Sequence, residues 1–349
     1  MRLLRSKSLW FTIAGTVVLA ALVAALVVGL GVPERYVVET YELGRAPAGR
    51  TYQVPPFKPE SNLLLFASGG GREAGVHYYV LGSDAGGRDL LGLLARGAVP
   101  SLELVAAALV GRFLVGIAAG IAMGLGVGFV STLSRSMGRW FAGFPYLAFA
   151  IIVIQTLSTH NRFGAFAVAM AAVGWRDVAE LTAEQVEHVR SQSYAEAAKA
   201  LGTDGLRFFS RHVLPHLRPV LASEAAFQAS SVLVLLAELG YLQVYVGAHF
   251  TALYAQAGGG RGPLTVAYRL APPEIGGMLA DARNYILLEQ WVPVLVPAVA
   301  VGLLALVFEL YGWALRTRSP YRRRSTAADV RAAVPPRPGR APELAVPGR

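Results

Sequence analysis

The side chains that could do covalent or metal chemistry are scattered along this chain. Its six histidines, at positions 77, 160, 188, 212, 216 and 249, give no HExxH metal-binding helix. No nucleophile elbow of the form G-x-S-x-G is evident. There are no cysteines, which excludes disulfides, thiolate metal sites and Cys nucleophiles. The run Gly82-Ser83-Asp84-Ala85-Gly86-Gly87-Arg88-Asp89 is glycine-rich. A phosphate cradle would need a buried strand before it and a Lys-Ser/Thr pair after it. Neither is present, and no Walker A motif occurs elsewhere. The reading is therefore no catalytic residue, no metal ligand set and no nucleotide hydrolysis by this chain itself.

What remains is polar chemistry inside apolar runs. Arg112, Gln155, Glu224, Gln228 and Glu238 all interrupt strongly hydrophobic stretches. Such groups cost energy in lipid unless they face protein or water. Gln155, Glu224, Gln228 and Glu238 are candidates for lining a polar solute path. The alternative is interhelical hydrogen bonding, worth about 1–2 kcal/mol. Arg112 is a functional candidate by default, with a watery cavity or snorkelling as the favoured explanation.

A second kind of chemistry is mechanical. In Tyr194–Pro215, the residues Tyr194, Ala197, Ala198 and Leu201 fall at i, i+3, i+4 and i+7, one face of a helix. Gly202 follows where a helix favours a left-handed C-terminal residue. Thr203 or Asp204 can cap a second helix. That helix carries Leu206, Phe209 and Val213 and stops before Pro215. Two short amphipathic helices joined by a glycine hinge need a partner for their apolar faces.

The elements that must carry these groups follow from composition. The 349 residues are 54% hydrophobic and 15% charged, against about 25% charged in soluble domains. The fold class expected is an all-α polytopic membrane protein of about six transmembrane helices. Spans are predicted near Leu9–Leu30, Leu102–Val130, Trp140–Leu157, Phe163–Val178, Leu221–Val246 and Trp291–Leu315. The run Leu9–Leu30 is about 22 residues, enough to cross a bilayer and longer than a typical signal-peptide core. Arg2, Arg5 and Lys7 before it place the N-terminus in the cytoplasm. The net charge of +10 lies largely in the termini, as membrane flanks carry it, and does not point to nucleic acid. The domain reading is 1–32 flank and first span, 33–98 extracytoplasmic segment, 99–315 membrane core, and 316–349 a disordered basic cytoplasmic tail. Counting spans puts Tyr194–Pro215 in the cytoplasm. The glycines of GIAAGIAMGLGVG in the second span let another helix approach closely.

Three landmarks carry a resemblance. Glu196-Ala197-Ala198, then Gly202, then Leu214-Pro215 resembles the EAA loop of ABC-importer permeases, with His212 at the usual Ile position. Gly82-Ser83-Asp84 with Gly87-Arg88-Asp89 resembles the G-T-D-x-x-G-R-D signature of the C-type permeases of dipeptide, oligopeptide and nickel importers. Gly97-Ala98 and Ser101-Leu102 continue that signature, while Val99 and Pro100 depart from it. Gly276-Gly277-Met278-Leu279 and Asp281-Ala282-Arg283, before Trp291 and Pro297, resemble the family's approach to its last span. The resemblance covers about residues 8–30 and 77–320. The segment around 60–76 has no counterpart in it.

The resemblance implies a permease subunit of an ATP-driven importer in a bacterial or archaeal inner membrane, with both termini cytoplasmic. It implies three partners: a second, homologous permease, ABC ATPase subunits, and an extracytoplasmic solute-binding protein. ATP and Mg belong to the partner ATPases and no cofactor to this chain. Tyr194, Glu196, Ala197, Ala198, Gly202, Leu214 and Pro215 match the stretch that couples to the ATPase. The alternative from another class is an ATP-independent secondary transporter or channel, which would carry discontinuous spans in repeated halves. No convincing repeat is found.

Overall fold

The computed structural model describes residues 2–38, 41–43, 56–59, 61–67, 73–126, 129, 131–132, 136, 145–157, 162–192, 195, 213–244, 246, 253–255, 265–267, 274–280 and 282–318. The chain opens with the long apolar helix α1 (Arg2–Leu30), followed by a single turn, α2 (Arg35–Val38). Three short strands come next, β1 (Tyr41–Leu43), β2 (Ser61–Ala67) and β3 (Glu73–Tyr79). They form an antiparallel sheet in the order β1-β2-β3, with Leu63 opposite His77 and Ser61 opposite Tyr79. The sequence reading left this segment without regular structure. Its strands are short apolar runs of three to seven residues, which do not stand out against far longer membrane helices.

Helix α3 runs from Leu90 to Leu125. It begins twelve residues before the predicted Leu102, so the proposed boundary at 98/99 falls inside a continuous helix. Asp89 explains the early start. Its carboxylate accepts from the Gly92 amide at 2.8 Å and satisfies one of the orphan donors of the first turn. Pro100 sits inside the helix without ending it. The helix closes on Gly126, whose φ of 68° is the left-handed cap conformation.

The shorter α4 (Tyr146–Leu157) is apolar, and α5 (Arg162–Arg190) is a single helix of 29 residues. The sequence reading ended α5's span at Val178. The helix continues for twelve further residues. Trp175, near the predicted end of that span, is 6% exposed. Past α5 come α6 (Leu214–Tyr241), the two-stranded pair β4 (Leu253–Ala255) and β5 (Thr265–Ala267), and a 3-10 turn at Gly277–Leu279. The chain ends with α7 (Ala282–Leu287) and α8 (Val292–Arg318).

Among the described residues, four helices are long and apolar enough to cross a membrane: Ser8–Leu30, Leu90–Leu125, Leu214–Tyr241 and Val292–Thr317. The other two predicted spans correspond to the shorter α4 and to the apolar first half of α5. The membrane part is thus all-helical and polytopic.

Glycine positions give the packing. Gly111, Gly116, Gly120 and Gly124 of α3 meet Ala171, Val178, Thr182 and Val186 of α5 in rising order. The two helices are therefore parallel and form the most extensive helix contact among the described residues. Added Cβ atoms at Gly116, Gly120 and Gly124 would sit 2.5–2.6 Å from atoms of α5. This is the close approach by which helices associate where lipid removes the hydrophobic drive between them. α1 packs on α8, with Gly15 beside Leu310, and α8 packs on α6, with Gly312 beside Phe227. At the opposite end of α1, Gly29 faces Leu91 of α3. One end of the bundle carries the sheet and residues 82–89 and is called the sheet end. The other carries the termini of α5 and α6 and is called the loop end. The main core joins α3, α4, α5, α6 and α8 through Leu104, Ile154, Phe166, Met170, Leu233 and Val301. A smaller cluster, Val186, Val189, Ala195, Val213 and Leu217, seals α5 to α6 at the loop end.

Candidate functional site

The coupling stretch read from the sequence begins where α5 ends. Tyr194, Glu196, Ala197, Ala198 and Gly202 lie outside the described residues. Leu214 and Pro215 open α6, with proline in its first turn, where its missing amide costs nothing. The base of the stretch is described. Val213 and Leu217 are buried against Val186 and Val189. Arg190 reaches across to α3, its Nη1 donating to the Gly124 carbonyl at 2.7 Å. A cation there also meets the negative end of the α3 dipole. All three helices are thereby tied together at the loop end.

The signature run Gly82–Asp89 forms a closed turn at the sheet end. Gly82 has a φ of 83°, and a Cβ there would lie 2.7 Å from the Phe57 carbonyl. Only glycine meets both demands. Asp84 Oδ1 accepts from the amides of Gly86 at 2.9 Å and Arg88 at 3.0 Å. Its Oδ2 accepts from Arg88 Nε at 2.6 Å and also pairs with Nη2 of the same guanidinium. Gly87, at a φ of 75°, presents its carbonyl to the Tyr79 hydroxyl at 2.7 Å. Tyr285 of α7 accepts from the Ala85 amide at 2.9 Å. Asp89 caps α3 with one oxygen and meets His77 Nε2 with the other at 3.0 Å. The His77 ring stacks on Tyr36 at 4.0 Å. Asp84 and Asp89 are buried, so these charges bind the sheet, the turn and α3 into one unit.

Asp89→Ala is expected to cost about 1–2 kcal/mol for the cap, and up to about 3 kcal/mol more for the stranded His77. Thermal unfolding of the purified chain would measure it. The loss should exceed that of the exposed, neutral-site control Gly302→Ala, where nothing lies within 4 Å.

Within the bundle the structure separates the polar candidates. Arg112 is 3% exposed, so it neither snorkels nor faces a watery cavity, as the sequence reading favoured. Its guanidinium is held between helices. Nε donates to the Met170 carbonyl of α5 at 3.0 Å, Nη1 to Gln228 Oε1 of α6 at 2.5 Å, and Nη2 lies 3.6 Å from the Met170 sulfur. Gly174 leaves the space, since a Cβ there would stand 2.1 Å from Arg112 Nε. Gln228 Nε2 donates to Glu224 Oε1 at 3.0 Å and lies 3.5 Å from Asp177 Oδ2. Asp177 was not among the polar candidates read from the sequence, where it fell at the end of the span predicted near Phe163–Val178.

Gln155 and Glu238 do not join this group. Both are exposed, on α4 and α6. Glu238 is 14 residues beyond Glu224, about 21 Å along the helix at 1.5 Å per residue. Among the described residues no group of three or more His, Asp or Glu could hold a metal ion.

The bundle and its turn can now be compared with known proteins. Residues 116–318, more than half of the chain, match the family described as binding-protein-dependent transport system inner membrane component. The dipeptide transport system permease protein DppC of Alkalihalophilus pseudofirmus is 28% identical over 237 residues, 67% of this chain and 69% of that protein. The di/tripeptide transport system permease protein DppC of Pseudomonas aeruginosa is 28% identical over 267 residues, 75% of this chain and 79% of that protein. The peptide transport system permease protein SapC of Salmonella typhimurium is 27% identical over 247 residues, 68% and 72% respectively. These relatives are named as transport permeases, and their matches are longer than the family region. The chain, a multi-pass membrane protein with α3, α5 and α6 at its centre, belongs to the binding-protein-dependent transport system inner membrane components.

Proposed function

We propose that this chain is the permease subunit of an ATP-driven importer of short peptides, and that its 194–215 stretch couples ATPase motion to alternating access. The observation that carries this reading is the family match over residues 116–318, joined to relatives named for dipeptide and peptide transport. The described helices support it, because α5 and α6 lead straight out of the packed bundle to the two ends of the stretch.

In this reading the ATPase subunits bind at the loop end, in the cytoplasm with both termini, and carry the ATP and Mg. A second, homologous permease packs alongside, and a solute-binding protein docks at the sheet end. The chain itself holds no cofactor. Glu196 offers a charge to a basic residue of the ATPase cleft, and Ala197 and Ala198 permit close approach. Gly202 sets the bend, and Leu214 and Pro215 return the chain to α6. Gln155 and Glu238 line the solute path between the two permeases near the sheet end, because an exposed amide or carboxylate at that depth needs water or protein rather than lipid. No observation favours the ATP-independent carrier.

Gly202→Asp tests the coupling. A side chain opposes the positive φ the hinge demands. The variant is expected to insert and assemble normally but to lose stimulation of ATP hydrolysis by the binding protein. Normal stimulation in reconstituted vesicles would refute the coupling role. Affinity purification of the wild-type chain should bring a nucleotide-hydrolysing subunit with it.

A further inference from the structure

We propose that Arg112 and Gln228 form a polar joint that braces α3, α5 and α6 as one lever, a role that rests on the coupling function proposed above. Arg112 is the one buried cation among the described residues. It bonds the main chain of α5 and the side chain of α6 at once. Gln228 then passes the polarity to Glu224 on its own helix and Asp177 on α5. No carboxylate touches the guanidinium directly among the described residues, and the Gln228 amide stands between the cation and both acids.

This is an expensive arrangement if packing were its purpose. Taking a guanidinium out of water costs several kcal/mol, and apolar side chains of similar volume often serve stability as well or better. What the guanidinium supplies is direction. Its planar fork fixes the angle at which its partners meet it, whereas apolar contact is non-directional.

The position supports bracing. Arg190 ties α3 to α5 at Gly124, and the Val186–Leu217 cluster ties α5 to α6 at the same end. Arg112 lies 12 residues from Gly124 along α3, about 18 Å away at 1.5 Å per residue. Three rods fastened at one level can scissor. Fastened at two levels that far apart, they move together.

The chain has no native cysteine, so paired spin labels in this subunit are unambiguous. One pair, Val168→Cys with Val234→Cys, reports α5 against α6 from exposed positions. A second pair, Glu184→Cys with Arg316→Cys, reports α5 against α8 at the loop end, also from exposed positions. Distances are measured in the assembled transporter, at rest and after trapping with ATP and vanadate, in the otherwise wild-type chain and in R112M/Q228L. That double variant replaces both members of the joint by apolar side chains of similar volume, so it is expected to fold. R112K, which keeps the charge but not the fork, is the second variant.

The second pair should shift on trapping in all three backgrounds. The first should stay constant in the wild-type background, shift beyond the width of that distribution in R112M/Q228L, and shift partway in R112K. A first pair as constant in R112M/Q228L as in the wild-type background would overturn the joint alone. A second pair that never moves in the wild-type background would overturn the coupling function, and the joint's role with it.

Discussion

Gly120→Val is expected to cost about 3 kcal/mol, the upper end of the overpacking range. A Cβ at Gly120 would lie 2.5 Å from the Ala179 carbonyl and 2.5 Å from Thr182 Cβ. Neither neighbour is the far end of a flexible side chain. One is backbone and the other is fixed to it, so the strain is relieved only if α3 and α5 move apart. That movement would also open the contacts at Gly116 and Gly124. The purified subunit should unfold at a lower temperature and at lower denaturing-detergent concentration. Gly302→Val is the matching control, because nothing lies within 4 Å of it. Equal stability of the two variants would show that the α3–α5 contact does not hold the bundle.

Asp84→Ala is expected to cost about 3–5 kcal/mol, because it removes one member of a buried ion pair. The Asp84 and Arg88 side chains are 10% and 11% exposed, so water offers little compensation for the lost carboxylate. Two backbone amides lose their acceptor as well. Asp84→Asn keeps an acceptor oxygen for them and should lose less, about 1–3 kcal/mol. Proteolysis should find the difference at the sheet end first, since the turn ties Phe57, Tyr79 and Tyr285 to the start of α3. Unchanged protease resistance in Asp84→Ala would mean that the turn is held by its backbone alone.

The sequence made several of these features legible and hid others for physical reasons. The glycines of α3 announced a close helix contact, because small residues are how helices meet in lipid. Which helix they met was invisible, since nothing in the chemistry of Gly120 names Thr182. The extension of α5 could have been found. Val178, Thr182, Val186 and Val189 keep helical spacing through the charged stretch, but those charges were read as the end of a span. The early start of α3 also had a signal, Asp89 just before an apolar run, which is an N-cap pattern.

Arg112 was different. Its partners are the Met170 backbone carbonyl and a side chain 116 residues away, and neither leaves a local trace. The signature run Gly82–Asp89 was recognised, and the structure closes it with the Asp84–Arg88 ion pair. Tyr194, Glu196, Ala197, Ala198 and Gly202 carried the strongest sequence signal and lie outside the described residues, so their role rests on the motif and on the family.

The rising ladder of glycines between α3 and α5 also limits how this protein can change shape. Sliding the two helices past each other by part of a turn would lift Val178, Thr182 and Val186 off the glycines they sit on and drive them against Ala119 and Met123, which pack on the same face. Shear is thereby closed to this pair as a mode of motion. Whatever displacement enters through one of them reaches the far side of the bilayer as a tilt or a rotation shared by both, with no slippage on the way.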